Sequence, residues 1–167
     1  MSATVPLPAI DFSDAKAHLS DVMASVVHQR QPRLVRRHRG KEAMLLVPPD
    51  DLARALRTFR FDASVIHSEG ETTVALEQFG VLGFGKTLEE ALADALEELR
   101  AYAQRYFADT AFYAKTDRAG HWPWLLRLAL TPPEQQTALL LDPPDGSDGP
   151  TGGSAPDVPN TPSVPGA

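Results

Sequence analysis

Residue types able to carry bond-making chemistry are few and scattered. The 167-residue chain has no cysteine and five histidines, at positions 18, 28, 38, 67 and 121. Without thiols there can be no disulfide, no thiolate zinc site and no cysteine nucleophile, and a reducing cytosol is compatible. No two histidines lie three or four residues apart on a predicted helix, so neither a metal nor any other cofactor is expected. His67 and Glu69 could form an acid/base couple, but the same pair reads as an exposed, charged turn. Gly80 to Thr87 formally matches G-x-x-x-x-G-K-[ST], a loop whose amides cradle phosphate. Such a loop follows a buried strand of a parallel sheet. Here the preceding strand alternates and is partly polar, and no parallel-sheet pattern follows. The three glycines Gly80, Gly83 and Gly85 are instead expected to interrupt regular structure ahead of a helix. No catalytic residue is assigned, and an enzyme is the poorest reading.

The strongest chemical signal is electrostatic. Between Arg30 and Lys41 there are six Lys or Arg, with His38 beside them and no acid. On an exposed strand such a run can solubilise and discourage edge pairing; it also suits a polyanion. The second dense feature is aromatic. Trp122 and Trp124 flank Pro123, with Phe112, Tyr113 and His121 nearby. They read either as core or as anchors for a protein partner.

Overall charge points away from a simple nucleic-acid binder, at −6 from 16 basic and 22 acidic residues. Residues 1–60, however, carry 10 basic and 6 acidic side chains (+4), and residues 61–167 carry 6 and 16 (−10). That asymmetry predicts two surfaces with different partners. Apolar residues make up 43%, enough for a modest core. Apolar runs are far shorter than the roughly 20 residues of a membrane span. Met1 to Ala9 lacks a basic segment followed by an apolar one. A cytoplasmic location without membrane contact is expected.

These groups need elements to position them. Ile10 and Phe12 read as a short strand, and Ser13 as the cap of a helix. Leu19, Val22, Met23 and Val26 would form that helix's buried stripe. Pro32 stops it. Arg33 to Arg37 and Ala43 to Val47 read as a hairpin turning at Arg39-Gly40-Lys41, and Pro48-Pro49-Asp50 starts a helix through Leu56. Alternation from Phe59 to Ile66 and from Thr72 to Phe79 predicts two antiparallel strands about a turn at Ser68 to Glu71. Thr87 and Glu90 have capping-box spacing. The helix behind them has Leu88, Leu92, Ala95, Leu96, Leu99, Tyr102 and Tyr106 on one face. Glu89, Glu90, Asp94, Glu97 and Glu98 lie on the other. Trp122 to Leu130 reads as a helix, and Thr131-Pro132 as the cap and first residue of another. Asp142 to Ala167 is 12 parts Pro or Gly in 26, and is expected to be disordered.

Two blocks carry a family resemblance. Phe12-Ser13-Asp14-Ala15-Lys16-Ala17-His18-Leu19-Ser20, and then Pro32 to Pro48 with its basic strand end before Gly40-Lys41, resemble the Phd/YefM antitoxins over about residues 8–57. Leu52 stands where that family often has Tyr, and Lys16 where it usually has Arg. The resemblance implies an α+β fold beginning with a strand-helix-hairpin-helix module. It also implies a homodimer that binds operator DNA and represses its own operon. DNA contact is carried onto Lys16 and Arg37. Lys16 lies early in a helix whose free N–H groups can also face phosphate, and Arg33, Arg36, Arg39 and Lys41 complete the predicted set. Residues 59–107 are similar to the strand-turn-helix end of HicB-like antitoxin domains.

The organisation expected is a DNA-binding and dimerisation module over 1–57, an α+β toxin-binding segment over 58–141, and the tail 142–167. The toxin-binding residues are open, with Trp122 and Trp124 as candidates, and the acidic helix suits a basic, RNA-cleaving toxin. The reading is a type II antitoxin and autorepressor. The alternative is a stand-alone DNA-binding regulator with no toxin.

Overall fold

The computed structural model describes residues 7–141. The predicted tail therefore lies outside the described residues. The chain is α+β, with two three-stranded sheets, each backed by helix.

The first sheet is built from β1 (Ala9–Asp11), β2 (Arg33–Arg37) and β3 (Glu42–Leu46), in that order. β1 runs parallel to β2, and β3 returns antiparallel with Val35 opposite Met44. Two helices bridge β1 and β2: α1 (Phe12–Ala17) and α2 (Leu19–Val27). The single helix expected from Ser13 onward is thus broken at His18, whose φ/ψ of −124°/37° is not helical. The cap also differs. Asp11 precedes the helix, and Ser13 lies inside it without a capping role. The small core holds Ala15, Val22, Val26 and Val35, with Ile10 and Leu46 against it. Leu19 and Met23, expected in the buried stripe, are exposed, Met23 at 57%. Val22 and Val26 of that stripe are buried as expected, together with Ser25. β3 leads through Pro48 into α3 (Pro49–Ala55).

The second sheet is an antiparallel meander of β4 (Ser64–Ser68), β5 (Glu71–Leu76) and β6 (Val81–Gly85). β4 begins later than the alternation suggests. Phe61 is a core residue in the connection, packed against Phe79 at 5.6 Å between ring centres. Likewise β5 ends at Leu76, and Glu77–Phe79 is a 3-10 turn closed by Gly80 at φ +65°. The glycine-rich stretch corrects the sequence reading: Gly83 and Gly85 do not interrupt structure but belong to β6. A Cβ on Gly83 would sit 2.3 Å from the Ala91 carbonyl oxygen and the Ala95 amide nitrogen. The glycines are there because the long helix α4 (Leu88–Ala108) lies directly on the strand.

α4 is as its sequence predicts. Thr87 Oγ1 accepts from the Glu90 amide at 3.2 Å, and Glu90 Oε2 accepts from the Lys86 amide at 2.7 Å. Ala91, Leu92, Ala95, Leu96, Leu99, Tyr102 and Tyr106 are buried against the sheet and the C-terminal helices; Leu88, at the helix start, is exposed. Behind α4 come α5 (Thr110–Tyr113), α6 (Trp122–Leu130) and α7 (Gln136–Leu140). Thr131 closes α6 rather than capping the next helix, its Oγ1 donating to the Arg127 carbonyl at 2.8 Å. A 3-10 turn over Pro133–Gln135 precedes α7, and Leu141 is exposed.

Candidate nucleic-acid interface and partner surfaces

The cationic residues gather around the β2–β3 hairpin. Its turn is a 3-10 segment, His38–Gly40, in which three consecutive residues have positive φ (51°, 56° and 84°). Only Gly40 adopts this without a Cβ penalty. Exposed Arg39 and Lys41 sit at the tip. Along β2 the alternation separates two groups. Val35 is buried under the helices, so Arg33 and Arg37 share its side of the sheet and Arg36 takes the other.

The groups are held differently. Half-buried Arg33 is tied to the end of α2: its Nε donates to Ser25 Oγ at 3.1 Å and Nη2 to Gln31 Oε1 at 2.7 Å. Its guanidinium braces the strand. Arg37 lies over the Phe12 ring, Cζ to centroid 5.3 Å, with Glu42 Oε2 3.8 Å from Nη1. Lys16 is four residues from Phe12 on α1, one turn along the same face. Phe12 thus carries the Arg37 guanidinium on its ring and has Lys16 one helical turn further on. Lys16, Arg36, Arg39 and Lys41 are exposed and make no ion pair among the described residues. Glu42 also lies 3.8 Å from His38 Nε2, and Asp11 on β1 is opposite Arg36 in the sheet register.

One further cation was not singled out by sequence reading. Arg30, at φ +51°, reaches across to Asp51 on α3, Nη1 to Oδ1 2.6 Å. Its signal was only its membership of the basic run. A second missed feature is apolar. Leu19, Met23 and Val27 on α2 are exposed at a spacing of four residues, and Phe12, Met44 and Leu45 are exposed on the same module. Periodicity identified a stripe but could not say whether this chain or another covers it.

The aromatic cluster divides. Trp124 is structural: its Nε1 donates to the Arg60 carbonyl at 2.6 Å, and its ring meets Phe59 edge-on at 4.8 Å. Buried Arg127 donates to the neighbouring Phe59 carbonyl at 2.8 Å. Together they fasten the segment after α3 to α6. Trp122 (43%) and Phe112 (58%) are exposed. Deeper in, the Tyr102 hydroxyl meets His121 Nδ1 at 2.7 Å. Burial lowers the His121 pKa from its ordinary value, the Arg118 guanidinium lowers it further, and Asp117 opposes them. Burial likewise raises the Tyr102 pKa, offset in part by Arg118.

Two chemical alternatives find no support. In the Gly80–Thr87 stretch the Phe84 amide donates to Asp94 Oδ2 at 2.8 Å and the Lys86 amide to Glu90. Amides that would receive phosphate already hold carboxylates. His67 Nδ1 faces Thr72 Oγ1 at 3.2 Å across the hairpin, and no contact to Glu69 is formed. Among the described residues there is no group of three or more His, Asp or Glu able to hold a metal. None of their helices is long and apolar enough to cross a membrane.

This pairing of a small helix-backed sheet with a meander under one long helix is shared with the crystal structure of the antitoxin part of a candidate toxin/antitoxin system from Syntrophomonas wolfei subsp. wolfei. That chain superposes with a TM-score of 0.72 at 19% identity, over 80% of this chain and 96% of the other. The PHD-like family model, "Antitoxin of toxin-antitoxin, RelE / RelB, TA system", matches residues 7–142, both sheets included. The chain belongs to this antitoxin family. No curated protein matches it.

Proposed function

We propose that the chain neutralises a cognate toxin by direct binding and, as a homodimer, binds operator DNA and represses its own operon. The observation that carries the DNA half is the set of exposed cations Lys16, Arg36, Arg39 and Lys41, on and beside the hairpin that bears Arg37, which make no ion pair among the described residues. Cations without an acid partner have no folded-state charge to surrender before meeting phosphate. Arg33 belongs to the set as the strand's brace. The exposed apolar side chains of α2 and β3 support self-association through residues 1–57. A dimer would present the array twice, as two half-sites require.

Residues 58–141 are the proposed toxin-binding segment. Exposed Trp122, rather than Trp124, is the better anchor, since Trp124 is committed to the fold. Glu89, Glu97 and Glu98 on α4 supply a surface suited to a basic, RNA-cleaving toxin. The protein acts in the cytoplasm, by binding and not by catalysis.

Gel shifts with the chain's own upstream DNA test the first half, comparing wild type with a Lys16→Ala, Arg37→Ala double variant. The double variant is expected to bind at least tenfold more weakly; equal affinity refutes the assigned contacts. Co-purification with the protein encoded next door tests the second half. Failure to form a complex there, with DNA binding intact, would favour the regulator without a toxin.

A further inference from the structure

The two edges of the second sheet are finished differently. Along β6, α4 supplies carboxylates to the backbone: Asp94 accepts from the Phe84 amide at 2.8 Å, and Glu90 accepts from the Lys86 amide just past the strand at 2.7 Å. Along β4 there is no such cover. All five residues, Ser64–Ser68, are exposed. Among the described residues no side chain hydrogen-bonds to the backbone of Val65 or His67. The usual protections of an edge strand are missing too, since Ser64–Ser68 contains no charged side chain and no proline.

The register fixes which backbone groups are free. Ser68 is opposite Glu71 across the two-residue turn Glu69-Gly70, where Gly70 has φ +81°. In such a hairpin the residues nearest the turn, and every second one beyond, direct N–H and C=O at the partner strand. Ser64, Ile66 and Ser68 therefore serve β5, and Val65 and His67 direct their backbone groups outward.

We propose that β4 pairs antiparallel with β4 of a second copy of this chain, about a two-fold axis at Ile66. In that register Val65 is opposite the partner subunit's His67, and His67 is opposite the partner subunit's Val65. Both outward N–H and both outward C=O groups of each copy are then used, giving four hydrogen bonds. Ile66 meets its own copy as a non-hydrogen-bonded pair, the closer of the two kinds, at about 4.5 Å between Cα atoms. Ile66 is 55% exposed and shares the open face of the sheet with Thr73, Leu82 and Phe84. Pairing extends that apolar strip across six strands. Two arguments select a second copy as the occupant. An uncharged strand meets no like charge when paired with itself, and the two-fold satisfies every outward group. The contact is a small one, below the roughly 1,200 Å² of stable interfaces, and is therefore concentration-dependent. It is independent of the DNA and toxin readings. Combined with self-association through residues 1–57, it would join dimers to one another.

The test uses the full chain, with mass measured by sedimentation velocity over a concentration series. I66K and I66E each place like charges opposite one another at the two-fold. Each is expected to halve the mass reached by wild type at high concentration, and their equimolar mixture to restore it. H67P removes an outward amide that β5 does not use, and is expected to act like I66K. In wild type, hydrogen exchange of the Val65 and His67 amides should slow as concentration rises, a readout that needs no variant. Unchanged mass in I66K and H67P, or exchange at 64–68 independent of concentration, overturns the proposal. Protection of 64–68 that appears only on adding the protein encoded next door also overturns it, because the edge would then be serving another chain.

Discussion

The Tyr102 hydroxyl and the His121 ring nitrogen Nδ1 stand 2.7 Å apart, joining the middle of α4 to the turn before α6. The hydrogen bond closes with either group as donor, according to which imidazole nitrogen carries the proton. The His121 ring also packs edge-on to Phe79 at 5.0 Å. An imidazolium here would be part-buried among rings beside Arg118.

Stability should therefore depend on pH through His121. Its folded pKa is below the ordinary 6.5, so the unfolded chain takes up more protons in the interval between them. The contribution is complete above 6.5 and declines as pH falls through that value toward the folded one. Thermal melts from about pH 7.5 to about pH 5 should fall more steeply for wild type than for His121→Gln. Parallel curves would remove His121 as the cause. Tyr102→Phe, which deletes one hydrogen bond, should cost about 1 kcal/mol at neutral pH.

Gly83→Ala should be severely destabilising. The new methyl would lie 2.3 Å from two backbone atoms of α4 and 2.5 Å from Ala95 Cβ, so the helix itself must move. A loss of about 3 kcal/mol is expected, at the upper end for overpacking. Gly120→Ala is the control: nothing lies within 4 Å of its Cβ position and its φ is not positive. Denaturant midpoints of the two variants measure the difference, and similar values would contradict the close helix–strand contact.

The same glycines show where the sequence was legible and where it was not. α4 could be read because capping, acidic first turn and apolar period all agree on one element. The hairpin was legible from its flanking strands and Gly40. β6 was not, since glycine weakens a strand locally and its reason for being there, the backbone of α4, is distant in sequence. The break at His18 lay equally hidden: Phe12 to Val27 has one continuous helical pattern, with no glycine or proline to mark the non-helical φ/ψ of His18. For the candidate interface, the cations were legible as a run. The division between Arg33, held by Ser25 and Gln31, and unpaired Arg36 was not.

The two tryptophans should respond oppositely. Trp124→Ala removes the ring that meets Phe59 and the hydrogen bond to the Arg60 carbonyl, and should cost about 3–5 kcal/mol. Exposed Trp122→Ala should change stability by less than about 0.5 kcal/mol. If Trp122 anchors the toxin, its variant will weaken co-purification with the neighbouring gene product while melting like wild type. Retained complex formation would assign the anchor elsewhere.

Salt dependence separates phosphate-binding cations from fold braces. With about 6–8 phosphates covered by a dimer, log K should fall with log salt at a slope near −5 to −7. Replacing Arg36, Arg39 or Lys41 by Ala should reduce the magnitude of that slope by about 1 for each phosphate no longer neutralised, twice that in a dimer, with little effect on melting. Arg33→Ala should instead lower the melting temperature, because it releases Ser25 and Gln31. Filter-binding titrations at several salt concentrations distinguish these outcomes.

Among the described residues the amino-terminal core cluster holds four buried apolar side chains, Ala15, Val22, Val26 and Val35, whereas the other holds seventeen. Opening the first unit gives up far less burial than opening the second. The consequence is kinetic: amides of β2 and α2 will exchange with solvent well before those of α4, and a protease cutting the native chain will find its first foothold there. The lifetime of the whole molecule is thus set by its most lightly built portion, the one that bears the basic hairpin.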